Sequence, residues 1–437
     1  MKKKKLNKKV LISMSADVFH HGHINIINKA SHHGEVIVSL ISDEIIAKYK
    51  RVPYLKWENR KKILENIKGV SKVIRQKEWN YVPVIKRVRP DILVHGTDWK
   101  EGYLQTYRNL AIEALKSYGG KLVEYEYTKG ISTMNLSLNQ KILGTSTELR
   151  RASLRRLLQL KKIVRIIEAH NPLSALIAEQ LYVKDKNFIR EFDGFWSSSL
   201  TDSTSQGKPD TESLDISWRL NNISNIFNIT TKPMIVDCDT GGLIDHFTMN
   251  LKIMERMGIS AGIIEDKKGL KKNSLLGNQV KQEQETINNF CDKISAGIKA
   301  RNNDFMIIAR IESLILEKGM KDALKRSFSY VEAGADGVMI HSKKKDPKEI
   351  FEFAKKFRQK FSHIPLVSVP STYNKVTENE LISKKFNIVI YANQMLRAAY
   401  PAMHDTGVSI LKNQRSYEID KKLSKINEIL KLIPGTI

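Results

Sequence analysis

Residues 265–274 read Glu-Asp-Lys-Lys-Gly-Leu-Lys-Lys-Asn-Ser and follow directly on the apolar run Ser260-Ala-Gly-Ile-Ile264. A buried strand that opens into such a polar loop marks, in a parallel α/β protein, the edge where chemistry is done. Upstream, Met234-Ile-Val-Asp237-Cys-Asp239 ends a second apolar run on two more carboxylates. Asp237, Asp239 and Glu265 are together suited to Mg²⁺, a hard cation that takes few protein carboxylates and keeps water and substrate oxygens in its shell. Taken singly, each could instead cap a helix or pair on the surface.

The elements that must position these groups fall into two blocks without an internal repeat. A chain of 437 residues is long enough for two domains. In the first block, apolar runs at Val10–Met14, Glu35–Ile41, Lys72–Ile74, Asp91–His95 and Lys121–Tyr125 alternate with helical spacing, as over Ile24–His32 and Trp57–Ile67. That pattern predicts a small parallel, doubly wound sheet of Rossmann-like class over residues 8–141. At the joint, Gly144 can end a structure, and Thr145 with Glu148 fits a capping box. The helix that follows, to about Leu160, carries Leu149, Leu154, Leu157 and Leu158 on one face and arginines elsewhere. It is expected to be a linker helix over 142–160.

From Val164 onward eight short apolar runs end in polar residues: Val164–Ile167, Phe192–Trp196, Met234–Val236, Ala261–Ile264, Phe305–Ala309, Gly337–Ile340, Leu366–Val369 and Ile388–Tyr391. Helical patterns separate most of them. Eight βα units with reactive side chains at the strand C-termini predict an α/β architecture of the (β/α)₈ TIM-type barrel over 161–437.

The bulk properties narrow the function. The net charge of +26 raises a nucleic-acid reading. The lysines, however, are spread along the chain and no RNP, helix-turn-helix or zinc-finger pattern appears. Attraction of anionic phosphorylated metabolites is the use of the charge expected here. No apolar stretch approaches the length of a membrane span, and Val10–Met14 is too short for the core of a signal peptide after the opening lysines. The two cysteines, Cys238 and Cys291, have neither disulfide-framework nor metal-site spacing, so a cytoplasmic protein is expected.

The barrel runs resemble the phosphoenolpyruvate mutase/isocitrate lyase superfamily over essentially all of residues 150–400. The matching stretches are Glu168-Ala-His-Asn, Gly194-Phe-Trp-Ser-Ser-Ser, Asp237-Cys-Asp239-Thr-Gly, Glu265-Asp-Lys, Ala309-Arg-Ile-Glu312, Gly334-Ala-Asp-Gly and His341-Ser-Lys-Lys. The lyase branch carries a catalytic cysteine in a K-[KR]-C-G-H loop. Here that loop is Lys267-Lys-Gly-Leu-Lys271-Lys-Asn273-Ser274, with no cysteine near it. The resemblance is therefore to the phosphoenolpyruvate mutase branch. In the closely similar phosphonopyruvate hydrolases the loop tends to have Thr where this chain has Asn273.

The resemblance implies interconversion of phosphoenolpyruvate and phosphonopyruvate, with Mg²⁺ at Asp237, Asp239 and Glu265, partly through waters. It implies that Trp196 walls the enolate while Ser198 and the backbone of Ser199 hold its carboxylate. Arg310, His341 and Asn273 would gather the phosphoryl oxygens, Lys271 would lie on a closing loop, and Asp210 matches an essential aspartate near the phosphoryl group. Ser199 stands where the family often has Gly. On the residues alone, Trp196 and His341 could be core, Arg310 a structural ion pair and Asp210 a turn residue after Lys208-Pro209. Small-molecule substrates, no specific nucleic acid, no membrane and a homo-oligomer are expected. The segment Tyr182–Arg190 is longer than the family norm.

In the first block, His20-His-Gly-His23 resembles the H-x-G-H motif of cytidylyltransferase-like nucleotidyltransferases. Imidazoles at a strand-to-helix turn can donate to a triphosphate at the bond being broken. Asp17, Arg60, His95-Gly-Thr-Asp98-Trp99 and Lys129-Gly-Ile-Ser132-Thr133 match further stretches in order. The resemblance implies CTP as a co-substrate, bound by Asp17, His20, His23, Arg60, Asp98, Ser132 and Thr133. Two departures bear on activity: Met14 where the family commonly has Gly, and Tyr127-Thr128 where it commonly has Arg-Thr.

Overall fold

Alternating apolar strands and helices build two separate sheets in the computed structural model, which describes residues 8–49, 52–100, 104–126, 145–185, 188–274 and 281–433. The described residues before 127 form one compact unit, and those from 145 on form the other, apart from the arm at 183–190.

In the first unit, β1 (Lys9–Met14), β2 (Glu35–Ile41), β3 (Val70–Gln76), β4 (Ile92–Gly96) and β5 (Lys121–Tyr125) lie in the order β3-β2-β1-β4-β5. All pairs are parallel. Period-two alternation sends successive side chains to opposite faces. Val10, Ile12, Val36 and Val38 pack with Ile27, Ala30 and Leu64 on one face. Leu11, Ile37 and Leu93 pack with Ile85, Ala111 and Leu115 on the other. Covering both faces is what makes these strands near-continuously apolar. The chain turns to opposite sides of β1 when it adds β2 and then β4. The crevice at the C-terminal ends of β1 and β4 is therefore the switch point where such sheets bind ligands.

In the second unit, β6 (Val164–Glu168), β9 (Gly194–Ser197), β10 (Met234–Asp237), β11 (Ala261–Glu265), β12 (Met306–Ile311), β13 (Gly337–Ile340), β14 (Leu366–Ser368) and β15 (Ile388–Tyr391) close a barrel. All its ladders are parallel, and β9 pairs with both β6 and β10. Gly194 permits that closure, because a Cβ there would stand 2.7 Å from the Pro233 carbonyl oxygen. The segment singled out for its length is a two-stranded arm, β7 (Tyr182–Asp185) with β8 (Phe188–Glu191). No described helix is long and apolar enough to cross a membrane.

The helix expected as a linker spans Thr147–Leu160 and belongs to the barrel unit. Two expectations for it are corrected. Its cap is Ser146, whose side chain accepts from the Leu149 N–H, rather than Thr145. The buried face is Arg150, Leu154 and Leu157, while Leu149 is 62% exposed. Burying the two leucines contributes about 1.5–3 kcal/mol each. The arginines do the rest of the docking: Arg150 donates to the carbonyls of Phe227 and Thr230, and Arg155 to Asp336 at 2.7 Å. Backbone carbonyls left over at the barrel floor thus find guanidinium donors, which a pattern of apolar residues does not reveal.

Candidate active sites

The C-terminal ends of the barrel strands converge on a cavity lined by Trp196, Ser198, Asp210, Asp237, Lys271, Asn273, Arg310 and His341, along with Ser274, Ser371 and Asn393. Of the residues expected in this site, Ser199, Asp239 and Glu265 are joined to the cavity wall by contacts rather than lining it. The loop after β11 brings Lys271 inward until it is only 3% exposed. Its Nζ stands 2.9 Å from Asp237 Oδ2, 2.8 Å from Asp239 Oδ1 and 3.7 Å from Asp210 Oδ1. Burial works against this charge, but Asp237, Asp239, Glu265 and Asp210 outweigh it and keep the ammonium protonated well above its ordinary range. Asn273 Nδ2 donates to Asp210 Oδ2 at 2.8 Å.

Ser199 turns out to contribute its side chain. Its hydroxyl lies 3.0 Å from Asp210 Oδ1 and 3.1 Å from Asp237 Oδ2, and it accepts from Lys271. One hydroxyl proton can serve only one of those carboxylates at a time. A glycine there would leave this hub without its central oxygen.

Sequence reasoning missed a second network. Ser274 Oγ accepts from Lys267 at 2.7 Å and from Arg310 at 2.5 Å, and donates to Glu312 at 2.7 Å. Arg310 Nε also donates to Glu312 at 2.6 Å, and its Nη1 lies 3.2 Å from Glu265 Oε2. The fork of Arg310 is thereby fixed facing the cavity. Beneath the carboxylates, buried Arg219 donates to the Asp237 carbonyl, to Asp202 and to Ser197. Burial opposes ionisation of Asp237 most strongly, yet Lys271, Arg310 and Arg219 hold its carboxyl below the usual carboxylate range. His341 is pushed down to about 4 by burial and then by Arg310, so it is neutral at pH 7.

The donor set suits Mg²⁺. Both carboxylate oxygens of Glu265 are buried with no hydrogen-bond partner among the described residues, and hard oxygens so placed favour a hard cation. The carboxylates Asp202, Asp210, Glu212, Asp237, Asp239, Glu265 and Glu312 also outnumber the cations Arg219, Lys267, Lys271 and Arg310. Among the described residues no three such groups meet at one point to ligate an ion directly. The position between Asp237 and Asp239 holds the Lys271 ammonium. Asp239 itself sits at φ 52°, in the left-handed region that a non-glycine residue rarely adopts.

In the first unit the switch-point crevice is a cavity of about 200 Å³ lined by His20, His23, His95 and Asp98, together with Met14, Lys29 and Tyr125. His20 caps the helix His21–Ser31: its Nδ1 accepts from the Gly22 N–H at 3.1 Å. The His20 N–H donates in turn to His23 Nδ1 at 3.3 Å. A neutral imidazole that accepts at Nδ1 must carry its proton at Nε2, so both rings are set as Nε2–H donors. Burial, then His21, lowers the His20 pKa and favours that neutral form. Met14 occupies the wall where a glycine would leave room.

Arg60 and Asp17 are placed differently from expectation. Arg60 is fully buried and spends its fork on the Ser15, Ile41 and Leu55 carbonyls and on Asp43, outside the cavity lining. Asp17 Oδ1 accepts from the Leu55 N–H at 3.1 Å, also outside that lining. Both tie the turn after β1 to the segment before the helix Trp57–Glu65. Ser132 and Thr133 lie outside the described residues, as do Lys129, Tyr127, Thr128 and Gly144.

A closed parallel barrel whose mouth holds carboxylates, a loop lysine and an arginine defines an enzyme that handles small anionic substrates. The profile of the family described as phosphoenolpyruvate phosphomutase matches residues 154–411, more than half of the chain. The chain belongs to this family of the phosphoenolpyruvate mutase/isocitrate lyase superfamily, with a cytidylyltransferase-like domain, matched over residues 15–137, at its N-terminal side. It is 36% identical over 283 residues to a phosphonopyruvate hydrolase of Variovorax sp. (strain Pal2), covering 64% of this chain and 93% of that protein. It is 33% identical over 281 residues to a phosphoenolpyruvate phosphomutase of Tetrahymena pyriformis, covering 64% and 89%. The crystal structure of a phosphoenolpyruvate phosphomutase from Streptomyces platensis subsp. rosaceus superposes with a TM-score of 0.59 at 36% identity, over 64% of this chain and 94% of that one. A phosphonopyruvate hydrolase crystallised with oxalate and Mg²⁺ superposes with a TM-score of 0.57 at 35% identity, over 65% and 94%.

Proposed function

We propose that the barrel interconverts phosphoenolpyruvate and phosphonopyruvate, breaking a P–O bond and forming a P–C bond, and that the first unit transfers CMP from CTP to a phosphonate. The observation that carries the first reading is Asn273, held by Asp210 at the cavity wall. A rearrangement must keep a loosely bonded, metaphosphate-like phosphoryl group dry while the acceptor carbon turns toward it. An Asn anchored to the cavity aspartate can hold phosphoryl oxygens through its carboxamide without polarising a water for attack. Phosphonopyruvate hydrolysis is the second reading. It is favoured by the hydrolase relative, whose 36% identity is no lower than the mutase's 33%.

Asp237, Asp239 and Glu265 would hold Mg²⁺, which would supply Lewis-acid stabilisation of the enolate charge. The chain's own residues do the rest. Ser198 and the Ser199 backbone orient the carboxylate, and Trp196 walls the planar enolate. Arg310 and neutral His341 gather the phosphoryl oxygens, with the arginine fork matching two of them. Lys271 closes the loop and excludes water. Phosphorus NMR of the purified protein with phosphonopyruvate and Mg²⁺ tests the reading. Phosphoenolpyruvate is the expected product, whereas pyruvate with inorganic phosphate as main products establishes the hydrolase.

A further inference from the structure

The β13–β15 side of the barrel mouth carries polar groups without a role in the scheme above, and Asn393 is the most unusual of them. It is the N-cap of the helix Gln394–Asn413, yet its side chain makes no capping hydrogen bond. Asn is a favoured N-cap because its side-chain oxygen accepts from the N–H groups one turn into the helix. Here those N–H groups, of Met395 and Leu396, donate to Glu168 Oε2 at 3.1 and 3.3 Å. Glu168 comes from the end of β6 and is itself held by His170. With the cap supplied from another strand, the Asn393 side chain is released from capping, and the residue lines the cavity. The residue is only 8% exposed, and its Oδ1 is buried with no hydrogen-bond partner among the described residues. His341 Nδ1, on the same wall, is in the same condition. Buried polar atoms are rarely left so unless a water, an ion or a ligand completes them.

We propose that Asn393 contacts the substrate, donating a carboxamide N–H to its phosphoryl group, and that Glu168 is the positioning residue that frees it to do so. A half-turn of the carboxamide exchanges its oxygen and nitrogen, so the orphaned position can present a donor. In barrel order β15 stands four strands from β11, which carries Glu265, and two from β13, which precedes His341. In the mutase reading, on which this inference rests, the pyruvate half is held on the β9–β11 side. The phosphoryl group is then what reaches the wall of His341 and Asn393.

The test compares full-length wild type, Asn393→Ala and Asn393→Asp in Mg²⁺. It measures kcat/KM for phosphonopyruvate, the Kd of oxalate, which lacks the phosphoryl group, and the thermal midpoint without ligand. Asn393→Ala should lower kcat/KM about tenfold, and Asn393→Asp about a hundredfold through repulsion of the phosphonate. Oxalate affinity should stay within about twofold, and the midpoint of Asn393→Ala should hold or rise, because an orphaned polar atom is removed. Glu168→Ala should lower kcat/KM similarly, with little further loss when combined with Asn393→Ala. Equal losses for both ligands would place the contact on the pyruvate half and overturn the assignment. A lowered midpoint with unchanged kcat/KM would make Asn393 a cap and overturn it too. Wild type that binds oxalate but does not consume phosphonopyruvate would refute the substrate reading itself, and this contact with it.

Discussion

The Nζ of Lys271 lies 2.9 Å from the Oδ2 of Asp237, so a loop ammonium stands at the carboxylate expected to face the metal. Asp239, at 2.8 Å, completes the clasp. Two cations cannot share that position: like charges about 4 Å apart repel by several kcal/mol even at an effective dielectric of about 20. Metal entry must therefore move Lys271 to other partners. Lys271→Met should strengthen Mg²⁺ binding, read by titration calorimetry, by about tenfold or more. The same change should cut turnover by about a hundredfold, because the loop loses its latch. Weaker metal binding in the variant would contradict this account.

Removing the metal and removing its carboxylate should differ in reversibility. Dialysis against EDTA should abolish turnover of phosphonopyruvate, and added Mg²⁺ should restore it. Asp237→Ala should lower turnover by at least about a thousandfold with no rescue at high Mg²⁺, since hard-cation affinity falls with each lost carboxylate. Its buried partner Lys271 would also lose a counter-charge, so the thermal midpoint should fall. Full activity after exhaustive chelation would remove the metal from the mechanism.

The strand ends were legible where an apolar run stops at a polar residue, as at Asp237, Glu265 and His341, although β12 runs on through Arg310 to Ile311. What was not legible depends on contacts between distant segments. Nothing local in Glu168 announces that it caps a helix 226 or more residues on, and so frees Asn393. Likewise Arg60, in the right order for a phosphate ligand, is consumed by three carbonyls and Asp43. Arg150 outcompetes Leu149 for burial because unpaired carbonyls of Phe227 and Thr230 lie beneath it. Ser274 was within view, next to Asn273, but its role appears only once Arg310, Lys267 and Glu312 surround it.

His341 should make the ligand-free barrel acid-sensitive. Its ordinary pKa is 6.5 and the fold holds it at about 4, through burial first and the Arg310 charge second, with Lys267 adding to the effect and Glu312 and Asp237 opposing it. Between those values the unfolded chain binds the proton and the folded one does not. Stability from this group is therefore complete above about pH 6.5, falls as pH drops toward 4, and levels off below. The full span is on the order of 3 kcal/mol. His341→Asn, which cannot titrate, should flatten that part of the curve in denaturant unfolding at pH 7 and pH 5. An unchanged slope would show that His341 is not held neutral.

His20 and His23 carry the last prediction. Transfer of CMP from CTP to a phosphonate oxygen builds negative charge on the departing pyrophosphate. Both rings accept a backbone N–H at Nδ1, His20 from Gly22 and His23 from His20, which makes Nε2 the donor atom of each at the wall of the first unit's cavity. Such donors stabilise the charge more in the transition state than in bound CTP, so they act on kcat as well as KM. His23→Ala should lower formation of a CMP-phosphonate from CTP and 2-aminoethylphosphonate or 2-hydroxyethylphosphonate by about a hundredfold or more. The barrel reaction should be unaffected, since none of its residues belongs to that sheet. Wild-type protein that neither binds CTP by calorimetry nor releases pyrophosphate with either phosphonate would mean that Met14 and Tyr127 mark a domain without chemistry. The C–P reaction would then be the chain's only catalytic function.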